Sequence, residues 1–135
     1  MRNGETDCET GADERWQVLE TLAAYSRLVS ERRYEEWSQL FLPDGEFSTP
    51  WTGVTAGREN LRAFVQDRQK DWDTFKQVTV NVTIDLNGDE AHALSDYFLL
   101  RHEDGRIVVP SMGRYSDLLR KVDGRWRFAR REVVA

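Results

Sequence analysis

The chain has 135 residues, enough for one domain with a real core and too few to call for a second. Carboxylates outnumber lysine plus arginine by 24 to 19, for a formal charge of −5, which argues against a nucleic-acid partner because phosphate binding needs a basic face. The single cysteine, Cys8, allows no intramolecular disulfide and no cysteine metal cluster, and no stretch has the length of a membrane span or the apolar core of a signal peptide, so a cytoplasmic protein without membrane contact is expected.

Residues 1–12 are charged and rich in Gly and Thr, and read as a flexible polar leader to a single domain over 13–135. Val18, Leu22, Tyr25 and Val29 then recur at helical spacing and predict an amphipathic helix. A second helix is expected from about Glu31, with Tyr34, Trp37, Leu40 and Phe41 on one face, ended by the turn residues Pro43-Asp44-Gly45. Glu46 to Trp51 alternates weakly, as a short strand would. A loop from Gly53 to Gly57 leads to a third helix carrying Leu61, Phe64 and Val65.

Strands dominate after Phe75. Val78, Val80, Val82, Ile84 and Leu86 alternate with Gln77, Thr79, Asn81, Thr83 and Asp85 in an unbroken period of two, up to a turn at Asn87-Gly88-Asp89. A second strand runs from Glu90 to about Arg101, and a long third one follows the turn at Glu103-Asp104-Gly105 and reaches Val122, with an irregularity at Pro110. Asp123-Gly124 is a hairpin signal, and the last strand, Arg125 to Val134, brings Trp126 and Phe128 to one face. Helices first and an antiparallel meander last make an α+β fold.

Several chemistries are closed to such a chain. His92 and His102 would lie roughly 33 Å apart on one extended strand, and no third ligand accompanies them, so no metal site is expected. No serine sits in a nucleophile-elbow glycine pattern, and Gly53 to Gly57 lacks the Lys-Ser or Lys-Thr of a phosphate loop. The late basic residues, Arg130 and Arg131 among them, alternate with apolar ones as exposed strand positions do. What remains is acid–base chemistry by hydroxyls and carboxylates in an apolar cavity, without a cofactor, for which Tyr25, Asp96, Tyr97, Tyr115 and Asp117 are the candidates. Tyr25 lies on the buried helix stripe, where a core tyrosine with a satisfied hydroxyl is the plainer alternative. Tyr115 and Asp117 share a strand face with Gly113 and Leu119: on a covered face Asp117 suits a general base, on an open one it is a solvated acid.

A set of phrases spread over residues 13–133 resembles the SnoaL-like group of the nuclear transport factor 2-like superfamily. They include Ala24-Tyr25-Ser26-Arg27, Leu40-Phe41-Leu42-Pro43-Asp44-Gly45, Gly57-Arg58-Glu59, Asn81 to Asp89, Gly113-Arg114-Tyr115-Ser116-Asp117 and Val122-Asp123-Gly124-Arg125-Trp126-Arg127. The resemblance implies a cone-shaped fold, N-terminal helices packed on a strongly curved, mostly antiparallel sheet that encloses a pocket, and frequent dimerisation. It implies relatives that are polyketide cyclases, dehydratases and isomerases, together with plain binding proteins and structural small subunits of ring-hydroxylating dioxygenases.

Position by position, Tyr25 matches the helix tyrosine of dehydratase-like members and Asp117 an acid on the third long strand. Ser30 stands where the resemblance leads one to expect an acid, and Gln77 where it leads one to expect a histidine. The expected function is that of a cofactor-free cyclase, isomerase or dehydratase acting on an apolar, oxygenated small molecule of secondary metabolism, such as a polyketide intermediate in antibiotic biosynthesis. The alternatives are a non-catalytic binding domain and a dioxygenase small subunit. Asp117, Tyr25 and Tyr115 are the candidate catalytic groups; Trp51, Gln77, Asn81, Asp96, Tyr97 and Arg130 are the candidate substrate contacts. Gln77 and Asn81 are expected to face the pocket together, and Asp117 to lie inside it within reach of the Tyr25 or Tyr115 hydroxyl. The Val78, Val80, Val82 and Ile84 row, opposite that face, is expected to form a homodimer.

Overall fold

Val18, Leu22, Tyr25 and Val29 are all buried, and the stripe they form lays the first helix against one face of a six-stranded sheet. The structure, a computed structural model, describes the backbone of residues 3–134 and the side chains of residues 11–134. The helix, α1 (Asn3–Ser30), takes in residues 3–12 of the stretch read as a leader. That stretch contains no proline to interrupt a helix. Farther along, Glu14 pins α1 to the end of the sheet by accepting from Lys121 Nζ and Trp126 Nε1, each at 2.6 Å.

The second helix, α2 (Tyr34–Ser38), is a single turn, and Phe41 and Pro43-Asp44-Gly45 belong to a strand instead, β1 (Phe41–Thr49). Tertiary bonds override the local helix pattern here: Phe128 N donates to Leu40 O at 2.8 Å, and Arg58 donates twice to Phe41 O, at 2.9 and 2.7 Å. The stretch read as a glycine loop is likewise a strand, β2 (Gly53–Ala56), paired antiparallel with β1. The Thr49 hydroxyl closes the turn between them by accepting from the amides of Trp51 and Thr52. Then come α3 (Arg58–Gln69), β3 (Phe75–Asn87), β4 (Glu90–Glu103), β5 (Arg106–Val122) and β6 (Arg125–Val134). The strand order is β2-β1-β6-β5-β4-β3; β1 and β6 run parallel, all other neighbours antiparallel, and the sheet stays open at β2 and β3 rather than closing into a barrel.

Bulges decide which residues face the helices. On β3 the register slips between Val80 and Thr83, around Asn81, whose φ is 56°. An extra residue reverses the faces. Before it Gln77 and Thr79 point inward; after it Val82, Ile84 and Leu86 do, packed against the core. The apolar row expected to be continuous is therefore split, with Val78 and Val80 on the outer face and Val82 and Ile84 on the inner. The irregularity at Pro110 is present: Leu99 pairs with Ser111 and Arg101 with Val108. On β6 the slip at Ala129, where Leu118 pairs with Arg130 and Leu119 with Phe128, keeps Trp126 and Phe128 inside and adds Arg131 and Val133 to the same face.

Tyr25, Trp37, Phe41 and Phe128 form the aromatic centre of the core, with ring centroids 5.2 to 6.3 Å apart in tilted and edge-on arrangements. Gly45 lets β1 close on this cluster. A Cβ there would stand 2.9 Å from Phe41 Cβ and 3.0 Å from the carbonyl oxygens of Leu42 and Phe128. Two of these three atoms are backbone and cannot rotate away. Gly45→Ala is expected to cost about 1–3 kcal/mol of stability, read as a lower urea midpoint at constant slope; an unchanged midpoint would show that β1 can shift without loss.

Candidate functional site

Between α1, α3, β1 and the inner faces of β3 to β6 lies a cavity of about 310 Å³. Its inner end is formed by the buried rings of Tyr25, Tyr97 and Tyr115 with Gln77 and Ser111, and its mouth by Trp51, Phe64, Arg68, Trp72 and Arg101. A larger groove of about 560 Å³ runs between α1, α2 and the β5–β6 turn, but it is walled by residues such as Gln17, Glu20 and Gln39 and holds no buried titratable group. The buried tyrosines lie at the smaller one.

The inner end is built by small polar straps. Ser26 and Thr79 join hydroxyls at 2.8 Å, and Ser30 Oγ donates to Ser26 O at 2.7 Å while accepting from the Gln77 amide at 3.0 Å. Ser30, at the position of an expected acid, thus ties α1 to β3 and fixes the strand residue next to the tyrosines. Gln77 Nε2 donates to the Tyr115 hydroxyl. Gly113 leaves room for Tyr97, whose ring stacks on Tyr115 with centroids 4.6 Å apart; a Cβ at Gly113 would lie 3.0 to 3.2 Å from that ring and its hydroxyl.

Burial pushes the Tyr25 hydroxyl up to about 12, against the opposing pull of the Arg131 charge and of the Tyr115 hydroxyl. Burial also raises Tyr115 well above the ordinary phenol range, with the neighbouring Tyr25 adding to the rise. Both remain protonated at neutral pH and can offer a proton or a hydrogen bond to a ligand oxygen.

Directly behind the two rings sits a charge pair that strand register creates, since Asp117 and Arg131 are cross-strand partners on β5 and β6. Both side chains are fully buried, with Arg131 Nε 3.0 Å from Asp117 Oδ1. The approach lies off the N–H direction, so neither carboxylate oxygen and none of the guanidinium nitrogens has an aligned hydrogen bond. Aromatic faces supply the rest: the guanidinium carbon lies 3.5 Å from the Tyr115 ring centroid, 4.2 Å from that of Tyr25 and 4.9 Å from that of Phe128. Burial pushes the Asp117 carboxyl up to about 6, while the Arg131 charge opposes the rise.

Several expected placements change. Asp117 is on the covered face, as one of the two readings had it, but it is screened from the cavity by Tyr25 and Tyr115 and bonds to no tyrosine hydroxyl. The bulge at Asn81 sends that residue to the outer face, where its amide donates to Asp96 at 3.0 Å; Asp96 also pairs with Arg114 at 3.2 Å, and these two donors hold its carboxyl low. Neither Asn81 nor Asp96 lines the cavity, and Arg130 is exposed on the outer face as well. Tyr25, Tyr115, Tyr97 and Gln77 do meet there, with Trp51 at the mouth and 70% exposed. Sequence reading missed Arg68, Arg101 and Ser111, and took Arg131 for an exposed strand position; the aromatic spacing on β6 points to Arg130, and the slip at Ala129 puts Arg131 inside instead. His92 and His102 are both exposed, and no cluster of metal-ligating side chains occurs among the described residues.

The SnoaL-like domain family profile matches residues 11–132, and the chain belongs to that family. No curated protein matches it significantly. Among solved structures, an NTF2-like protein with a cystatin-like fold from Novosphingobium aromaticivorans superposes with a TM-score of 0.90 at 21% identity, covering 98% of this chain and 88% of that one. A Mycobacterium tuberculosis protein of unknown function gives 0.84 at 25% identity, covering 91% and 74%. A protein from N. aromaticivorans provisionally assigned as a scytalone dehydratase gives 0.81 at 24% identity, covering 93% and 86%. These likenesses establish the NTF2-like fold.

The raised Asp117 carboxyl sets a pH dependence. The native state holds this proton more tightly than the unfolded chain, whose carboxyl titrates near 3.8, so the stability this group contributes is lost as pH rises from about 4 to about 6, against the opposite contribution of the lowered Glu14 and Asp96. The full change is on the order of 3 kcal/mol. Urea unfolding across that range should show the wild-type protein losing stability relative to Asp117→Asn; parallel curves for the two proteins would refute the assignment.

Proposed function

We propose that the protein is a cofactor-free enzyme of the cyclase, isomerase or dehydratase type, acting on an apolar, oxygen-bearing small molecule of secondary metabolism. The observation that carries this reading is the pair of buried phenols, Tyr25 and Tyr115, held protonated at the inner end of an apolar cavity and backed by the Arg131 cation. In an intramolecular ring closure the carbon of the ligand's own enol adds to a carbonyl held against these donors. The carbonyl oxygen gains negative charge that donors fixed in a dry site stabilise without reorganising, and it takes up the proton the enol gives up, relayed through the phenols. Arg131 reinforces the effect through the rings, and Asp117 balances Arg131 and so acts as a positioning residue. Gln77 orients the Tyr115 hydroxyl, and Tyr97 and Trp51 supply aromatic walls.

A second reading, a binding domain without turnover, is favoured by one specific feature. Gln77 occupies the wall position at which an imidazole was expected, and an amide takes no proton at neutral pH. The two readings separate on one assay, incubation with aromatic polyketide intermediates followed by product analysis. Turnover is expected, and Tyr25→Phe should lower it about 10²-fold with ligand affinity changed little. Binding without any product above the buffer control would leave the second reading standing.

The same proposal includes a homodimer acting in the cytoplasm. The split valine row does not remove an apolar outer face: Val78, Phe98 and Met112 are cross-strand neighbours there, Met112 is 70% exposed, and Val80 and Val134 flank the Asp96–Arg114 pair. Such a patch is costly to leave in water. Met112→Glu should convert a dimer to a monomer in analytical ultracentrifugation at micromolar concentration; a wild-type monomer under those conditions would refute dimerisation.

A further inference from the structure

Among the described residues no aspartate or glutamate lines the cavity, whereas two arginines do. Arg101 projects from β4 into the mouth, half-buried, with its guanidinium carbon 5.6 Å from the Trp72 ring centroid. Its Nε is buried and has no hydrogen-bond partner. Arg68, from the last turn of α3, lies 5.4 Å over the Phe64 ring on the same rim. Among the described residues neither arginine forms an ion pair. Of the acids between α3 and β3, Asp67 pairs with Lys70 at 3.2 Å, Asp73 accepts from the Thr74 amide at 2.8 Å, and Asp71 is exposed with its charge near Lys70. Arg32, close by over Phe75, shows the contrast, because it donates to the carbonyls of Gln69, Trp72 and Asp73.

We infer that the ligand is an amphipathic organic monoacid, with a carboxylate held at the mouth by Arg101 and Arg68 and an apolar ring body lying inward toward Tyr25 and Tyr115. The inference rests on the reading that this cavity is the binding site, and adds the chemical class of what enters it. A buried guanidinium donor without a partner is unfavourable until an acceptor arrives, and a planar carboxylate matches the guanidinium fork. Both rim arginines already stack on aromatic faces, which fixes their planes and leaves their edges for such an acceptor. A dianion gains no extra donors there: the helix end beside the mouth is the carboxyl end of α3, at Gln69, which offers no free amides to a phosphate. The volume, at the small end of the ~300–1,000 Å³ of ligand pockets, suits a body of one or two fused rings.

Calorimetric titration of the full chain with 2-naphthoate, 2-naphthamide and 2-naphthyl phosphate at neutral pH and low salt tests this. The carboxylate should bind at least about tenfold tighter than the isosteric amide, and tighter than the phosphate. Arg101→Gln should remove most of that preference while leaving amide affinity within about threefold, and Arg68→Gln should remove a smaller part; circular dichroism checks that both variants fold. Equal binding of amide and carboxylate, or a preference that survives the double variant, would overturn the inference and leave the cavity-binding reading intact. Stronger binding of the phosphate would overturn the monoanion assignment. Binding of none of the three would overturn the inference together with the reading on which it rests.

Discussion

The buried Arg131–Asp117 pair is the constraint around which the inner half of the molecule is arranged. Two charges removed from water cost several kcal/mol each, and attraction between them offsets that only when the surroundings help. Here the help comes from three aromatic faces rather than from aligned hydrogen bonds: Tyr115, Tyr25 and Phe128 surround the guanidinium. Tyr25 comes from the helix and the other two from the sheet, so helix and sheet are held together by a cation between their rings. Ala93, directly opposite Asp117 on β4, and Ser95 beside it are both buried and small, which gives the pair its space. The arrangement also explains why the phenols at the cavity end are fixed in place: each is packed on one side by the cation and open to a ligand on the other.

The order of elements apart from β2, the stripe of α1, the long alternating strands, the hairpin at Asp123-Gly124 and the irregularity at Pro110 were legible in the sequence, because each depends on a local period or turn preference. Faces were legible only as far as the nearest bulge. Counting by twos from Trp126 and Phe128 puts Arg130 inside, whereas the extra residue at Ala129 puts Arg131 there. Counting by twos from Gln77 puts Asn81 inside, whereas that residue is itself the bulge. Neither Ala129 nor Asn81 announces a bulge in sequence, since the slip is fixed by what the neighbouring strands pack against. The short helix α2 and the hairpin of β1 and β2 were misread for a related reason: bonds from Arg58 and Phe128, distant in sequence, set the conformation around Phe41.

The resemblance to SnoaL-like proteins singled out Tyr25, Gln77 and Tyr115, which the structure gathers around one cavity, and the departures from its pattern are where this chain is individual. Ser30 and Gln77 are not vacant positions. Ser30 holds the Gln77 backbone, and the Gln77 side chain holds Tyr115. Two titrating groups have been replaced by a neutral chain of donors and acceptors that orients a phenol. The chemistry left at the wall is donation to oxygen, and the charged members stand one layer behind it.

Asn81 has a consequence for how copies of this chain meet in a crowded solution. β3 is an outermost strand, thirteen residues long, and a flat strand of that length offers a row of free amides and carbonyls on which a foreign strand can grow. The left-handed backbone at Asn81 interrupts that row near its middle and twists its two halves out of line, while Lys76 and Asp85 put charge along it. The opposite rim, β2, has four residues, too few to template much. Both open rims of the sheet are thereby poor seeds for fibrils.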